Sequence, residues 1–264
     1  MPYTVVNGVR LYHEEHGAGD PILCIHGTSS SAMVWRRVAV ERLARLGRVI
    51  LYDRRGCTRS ERPDPYETSV AQHVEDAAAL IRALDAAPAV LIGRSYGGGI
   101  AVGVGLRYPL LVRAIVLLEA ADLVLDDIAQ PWDEAATRAV ERAAATEPGR
   151  AAEAMFRAVL GDEQWESWPE DFKALVAANS PAVIAEVRGA PLPVSSADLA
   201  ALRLPVLLVA GEDSLPEFRG INDRLASAFT EARTELVAGG HLIDPGEPAV
   251  LRFIGEILGR PPAL

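Results

Sequence analysis

Gly93-Arg94-Ser95-Tyr96-Gly97 sets a serine between two glycines directly after the apolar run Ala89-Val90-Leu91-Ile92. Residues 96–106, mostly small, read as a helix able to pack closely on a sheet despite the low helix propensity of its glycines. A strand that turns straight into a helix at such a motif has few ways to fold. The serine must take a strained backbone conformation, and the residues two positions either side must be small enough to clear the turn. The strain presents the Ser95 hydroxyl to a ligand.

The rest of the chain continues the alternation. Short apolar runs bounded by turn residues fall at 21–25, 48–52, 89–92, 114–118, 205–210 and 233–237. Their hydrophobicity suits strands buried on both faces, as in a parallel sheet. Helical patterns such as 70–86 and 97–107 lie between most of them, which is the order of a doubly wound α/β domain. Residues 3–6 and 9–14 flank Asn7-Gly8, a hairpin signature that puts an antiparallel edge ahead of the parallel strands. With 264 residues, half of them hydrophobic, the chain can bury a large core.

One interval departs from this order. From about 122 to 196 no convincing strand occurs, while helical patterns cover roughly 132–146, 150–160 and 170–187. The expectation is an α/β core formed by residues 1–121 and 197–264, with residues 122–196 inserted as a helical cap over the strand ends. Trp132, Trp165 and Trp168, three of the four tryptophans, fall in the insertion. They are expected to pack cap onto core or to wall an apolar substrate pocket. Residues 260–264 read as a frayed tail.

A formal charge of -10 argues against a nucleic-acid partner, which would need a basic face. No apolar run approaches the roughly 18 residues of a membrane span. Met1-Pro2-Tyr3-Thr4 has neither the basic nor the apolar region of a signal peptide, so a soluble cytoplasmic protein is expected. Cys24 and Cys57 lie in separate segments without metal-ligand spacing and read as reduced, partly buried thiols. Arg54-Arg55, beside Asp53, reads as a salt-bridged turn. No metal or cofactor is expected, and the expected partner is a small molecule.

A serine hydroxyl is a poor nucleophile at neutral pH, so Ser95 needs a base within reach and the base needs a group to orient it. Among the five histidines, His13 and His16 precede the core strands and read as surface residues, and His73 opens a helical pattern at a polar position, where solvation or helix capping is its expected role. His241 follows Val237-Ala238-Gly239-Gly240 at the carboxyl end of the last strand, the sheet edge on which the Ser95 turn lies and where ligands collect in open α/β sheets. It is the expected base. His26 ends an earlier strand before Gly27 and the loop Thr28-Ser29-Ser30-Ser31, a setting for backbone amides turned towards the Ser95 hydroxyl, with His26 holding the loop. The amides of Thr28 and Tyr96 are the expected oxyanion donors.

Taken in order, His26-Gly27, Asp53-Arg54-Arg55-Gly56, Gly93 to Gly97 and Gly239-Gly240-His241 resemble four motifs of the α/β-hydrolase superfamily, over nearly the whole chain. The resemblance implies an eight-stranded, mostly parallel sheet flanked by helices, with a helical cap after the sixth strand. It also implies a triad acid, and there this sequence departs from the commonest pattern. Members usually carry an aspartate where Gly211-Glu212-Asp213-Ser214 has serine, and Asp213 is one residue early. The sixth strand instead ends directly in Glu119, an acid that needs a partner so close to a buried strand, and the His241 imidazole would supply one. In similar α/β-hydrolases, including haloalkane dehalogenases, a glutamate at this place serves as the acid. Glu119 is the expected acid, with Asp213 the alternative and Asp122 a third.

The resulting expectation is a serine hydrolase that cleaves a carboxylic ester or lactone of a fairly apolar small molecule through an acyl-enzyme. A carbon-carbon bond hydrolase or a perhydrolase could use the same triad, and a hydrolase-like ligand receptor would retain it with little turnover.

Overall fold

Asn7 and Gly8 both take positive φ, 47° and 76°, the geometry of a two-residue turn that matches the twist of antiparallel strands, and Val6 pairs with Val9 across it. This hairpin, β1 (Tyr3–Val6) and β2 (Val9–His16), opens the structure, a computed structural model that describes residues 2–121, 123–126 and 133–260. Then come β3 (Pro21–Ile25), β4 (Arg48–Tyr52), β5 (Ala89–Arg94) and β6 (Val112–Leu118). A short pair, β7 (Leu123–Leu125) and β8 (Leu192–Val194), precedes β9 (Val206–Gly211) and β10 (Ala232–Val237). The eight-stranded sheet has the order β1-β2-β4-β3-β5-β6-β9-β10. β2 is antiparallel to β1 and β4, and every later pairing is parallel.

Side chains alternate across a strand, so each apolar run feeds two cores. On one face Leu23, Ile25, Leu91 and Leu117 pack against the helices Val70–Ala83, Tyr96–Arg107 and Pro216–Ala228. On the other, Ile22, Cys24, Val90, Ile92 and Val116 meet Trp35 of the helix Ala32–Val38, with Phe253 and Ile254 of the helix Pro248–Ile257. Cys24 and Cys57 are both free and buried. β10 differs from the expectation of burial on both faces. It is an edge strand whose residues Arg233, Thr234, Glu235 and Leu236 are exposed.

Between β7 and β8 the described chain folds into the helices Asp133–Thr146, Ala151–Leu160, Asp162–Glu166, Glu170–Ala177 and Ser180–Arg188, the inserted cap region. Val140, Ala151, Ala152, Trp165, Val176 and Val183 form its own small core. Two expectations are corrected here. The interval does contain strands, because β7 and β8 pair in parallel at Leu123↔Leu192 and Leu125↔Val194; three-residue strands leave too short a pattern to read. The helical stretch 170–187 is broken in two before Pro181, whose missing N–H and ring cannot continue a helix. Asp122, Trp132 and residues 261–264 of the expected tail lie outside the described residues.

Asn179 stands at that break and latches the cap to the core. Its Oδ1 accepts from the Thr58 amide at 2.8 Å, and its Nδ2 donates to the Ser30 carbonyl at 3.4 Å. The side chain is fully buried. Asn179→Ala leaves the half-buried Thr58 amide without its acceptor, and is expected to lower stability by about 1 kcal/mol. Urea unfolding measures this; an unchanged midpoint would show that the latch contributes nothing.

Candidate active site

β5 ends at Arg94 and the helix Tyr96–Arg107 begins at the next residue but one, so Ser95 alone makes the turn. Its backbone lies at φ 50°, ψ -123°, a region that costs a non-glycine residue about 1–3 kcal/mol. Hydrogen bonds hold it there: the Ser95 amide donates to Leu118 O at 3.1 Å, and its carbonyl accepts from the amides of Gly98 and Ala121. Crowding explains the flanking glycines. A Cβ on Gly97 would lie 2.1 Å from Ile25 O, and one on Gly93 would lie 2.4 Å from Gly97 O. Arg94 ties the turn to the loop that carries His241. Its guanidinium donates to the Ile243 carbonyl and lies 4.7 Å from the Trp35 ring centroid, and burial pushes its pKa down to about 10.

The acid comes from the neighbouring strand. Leu118 pairs with Arg94 on one side and Val209 on the other, so Glu119 emerges beside Ser95 at the carboxyl edge of the sheet. Glu119 takes φ 47° while its amide still donates to Val209 O at 3.1 Å. Its side chain is buried. Oε2 accepts from His241 Nδ1 at 2.6 Å, and Oε1 accepts from the Gly211 amide at 2.8 Å. Burial alone would raise the carboxyl pKa; the hydrogen bond and charge of His241, with the Gly211 amide, outweigh it and hold the group below its ordinary value. Ser214 is buried with its hydroxyl facing this carboxylate, near enough to favour the charge but short of hydrogen-bond geometry.

Asp213 is exposed, and its amide donates to Gly239 O at 2.9 Å. A shift of one residue from position 214 leaves its side chain on the outer side of the turn, so the structure brings Glu119, and not Asp213, to His241. The His241 ring stacks on Phe218, with centroids 3.9 Å apart at 22°. With Nδ1 engaged by Glu119, Nε2 is the ring nitrogen left to accept a proton.

Thr28 and Tyr96 line the same cavity as Ser95 and His241. Tyr96 is the first residue of its helix, where backbone amides point out along the axis. The loop before Thr28 is held by a buried network. His26 Nδ1 donates to Gly27 O at 2.8 Å, and its Nε2 accepts from the Arg54 amide at 2.9 Å, which assigns a neutral ring. Arg54 donates to His26 O at 3.0 Å and to Gly27 O at 2.9 Å, and pairs with Glu186 of the cap at 2.8 Å. Burial would lower the Arg54 pKa, but the Glu186 carboxylate reverses this and raises it. The expected salt-bridged turn is present, with Arg55 paired to Asp76 at 2.7 Å. His73 and His13 are corrections. Both are buried, His73 accepting from Arg54 Nη1 at 3.3 Å and His13 lying 3.0 Å from Thr4 Oγ1. His16 is half-buried beside Glu14.

The cavity has a volume of about 290 Å³. Met155, Phe156, Val159 and Leu160 of one cap helix line it, with Trp168, Phe172 and Val187 from the rest of the cap and Phe218 and Leu242 from the core. Trp168 is thus on the wall. Trp165 instead packs inside the cap, 6.2 Å from Phe156 and 5.6 Å from Trp168 between ring centroids. The cavity-lining stripe of the Ala151–Leu160 helix and the Phe218 platform were missed by sequence reasoning. The stripe has helical spacing, but nothing in that spacing tells a pocket wall from a core face.

The family profile described as alpha/beta hydrolase fold matches residues 20–244. The chain belongs to this family. Over 119 residues it is 35% identical to a 2-hydroxymuconate semialdehyde hydrolase of Pseudomonas sp. (strain CF600), covering 44% of this chain and 42% of that protein. Over 118 residues it is 36% identical to a protein of Azorhizobium caulinodans described as a carbamate hydrolase, covering 45% and 44%. The chain thus matches less than half the length of these curated relatives. Among solved structures, a thermophilic esterase from Thermogutta terrifontis superposes with a TM-score of 0.75 at 25% identity, over 97% of this chain and 94% of that one. Est816, an N-acyl homoserine lactone degrading enzyme, gives 0.74 at 24%, over 98% and 99%, a likeness of fold alone. Among the described residues no helix is long and apolar enough to cross a membrane.

This α/β-hydrolase chain buries His26 and His73 as neutral rings, their pKa values held well below the ordinary value first by burial and then by Arg54. The unfolded chain therefore binds more protons than the folded one below about pH 6.5, and stability falls as pH drops through that window. Each histidine contributes a slope of at most about 1.4 kcal/mol per pH unit. Glu119 acts only at lower pH, its contribution being lost as pH falls through its depressed pKa. Urea midpoints are expected to decline steadily from pH 7 to 5.5. A flat profile would contradict neutral burial of both rings.

Proposed function

We propose that this protein is a serine hydrolase that cleaves a carboxylic ester or lactone of a fairly apolar small molecule. One observation carries the reading: Ser95, on a strained turn, lines the same largely apolar cavity as His241, whose Nδ1 is held at 2.6 Å by the buried Glu119. Ser95 Oγ attacks the substrate carbonyl as His241 Nε2 takes its proton. The amides of Thr28 and Tyr96 receive the developing oxyanion. His241 returns the proton to the leaving alcohol, and water, activated by the same nitrogen, then hydrolyses the acyl-enzyme.

Size and lining narrow the substrate. A cavity of 150 Å³ holds one benzene, so about 290 Å³ suits an acyl or lactone body of about a dozen non-hydrogen atoms. Arg94, a basic residue on the lining, donates through Nη2 to Ile243 O and lies over Trp35, while its buried Nε has no hydrogen-bond partner among the described residues. Serine at position 95 argues against displacement of halide through an aspartyl ester, since that route needs a carboxylate as nucleophile. The esterase structure of the same fold agrees with this substrate class.

Turnover of 4-nitrophenyl butyrate tests the reading. Ser95→Ala is expected to reduce kcat at least about 10³-fold, and equal turnover by both proteins would contradict the assignment. Glu119→Gln, which keeps the shape and removes the charge, is expected to lower kcat by about 10²–10⁴-fold. Asp213→Asn, a surface change, should stay within about twofold of the wild type. The reverse order would make Asp213 the acid.

A further inference from the structure

The Gly27 carbonyl and the Thr28 N–H are the two ends of one peptide group. In a trans peptide they point in opposite directions within a plane that rarely deforms beyond about 10–15°. The two cis bonds of the described chain are Asp64-Pro65 and Ala87-Pro88, so this peptide is trans. Whatever fixes Gly27 O therefore fixes the direction of the Thr28 amide. Two buried donors fix it: Arg54 Nη2 at 2.9 Å and His26 Nδ1 at 2.8 Å. The segment also abuts the serine turn, since a Cβ on Gly27 would lie 3.2 Å from Ser95 Cβ.

We propose that Arg54 is a positioning residue for the reaction, which aims the Thr28 amide at the substrate oxygen by holding the Gly27 carbonyl. The inference rests on the serine-hydrolase reading above. A charge partner for Glu186 would need only a cation, but the planar fork of Arg54 serves His26 O, Gly27 O and Glu186 Oε1 together. Its guanidinium also lies 4.6 Å from the centroid of the Tyr96 ring, so the residues that bear both oxyanion donors rest on one side chain. Glu186 belongs to the cap helix Ser180–Arg188, and the aim of the Thr28 amide is thereby coupled to the docking of the cap.

Arg54→Lys keeps the charge opposite Glu186 but loses the fork. Folding is checked by near-ultraviolet circular dichroism, and hydrolysis of 4-nitrophenyl butyrate is compared with binding of an alkyl trifluoromethyl ketone, which forms a tetrahedral oxyanion adduct with a serine. Loss of aim is expected to lower kcat at least about 10-fold with KM within about threefold, and to weaken the ketone by the same factor as kcat. Binding of the corresponding unreactive alcohol should not change. Should Arg54→Lys not fold, the double variant Arg54→Gln/Glu186→Gln, which removes both buried charges together and so leaves neither unpaired, is read in the same way. A folded variant with unchanged kcat, or with alcohol and ketone weakened equally, would overturn the positioning role. A wild type that neither hydrolyses the ester nor binds the ketone would overturn the hydrolase reading instead.

Discussion

The 2.6 Å hydrogen bond between Glu119 Oε2 and His241 Nδ1 joins the end of β6 to the loop after β10, across the strand between them. A buried carboxylate is costly unless it is paired and hydrogen-bonded. Glu119 meets both conditions only because β6 and β9 are in register, so that the last amide of β9, Gly211, reaches Oε1. The register of β5 with β6 places Ser95 beside Glu119 through the hydrogen bond from the Ser95 amide to Leu118 O. Sheet pairing, acid, base and serine therefore depend on one another, and displacing β6 by one residue would break all four relations.

Strain is concentrated at the places where this edge must turn. Ser95 and Glu119 both take left-handed φ, 50° and 47°, as their strands leave the sheet. Each is anchored by a backbone amide that continues the ladder of the next strand. Such conformations persist where surrounding structure over-determines them, and here two packed cores and the contact of Gly97 with Ile25 O supply the constraint. The cap adds a second layer of restraint. It grips the loop after β3 through Asn179 on Ser30 O and Ser29 Oγ on Val176 O at 3.1 Å, and it reaches Arg54 through Glu186.

Local features carried the parts of this arrangement that were legible in the sequence. Asn7-Gly8 specified a turn because its backbone geometry is rare, and the glycines around Ser95 marked a position where backbones touch. The apolar runs located the central strands well, but residues 233–237 read as a buried strand although an edge position leaves 233–236 exposed. Glu119 could be favoured over Asp213 because a carboxylate directly after an apolar strand has few places to go. His73 was misread because its burial depends on Arg54, which approaches from a segment that local periodicity does not connect to it. Phe218 under His241, and the cap residues of the cavity, likewise depend on contacts between elements far apart in the chain. β7 and β8 were too short to leave a period.

In the proposed reaction Ser95 is a nucleophile activated through His241 by Glu119, directly after β6. Reaction with diisopropyl fluorophosphate, followed by intact mass measurement and peptide mapping, tests this role most directly. One phosphoryl adduct per chain is expected, on Ser95, formed far more slowly by Glu119→Gln and at the wild-type rate by Asp213→Asn. A chain that stays unlabelled, an adduct on another residue, or a rate indifferent to Glu119 would contradict it.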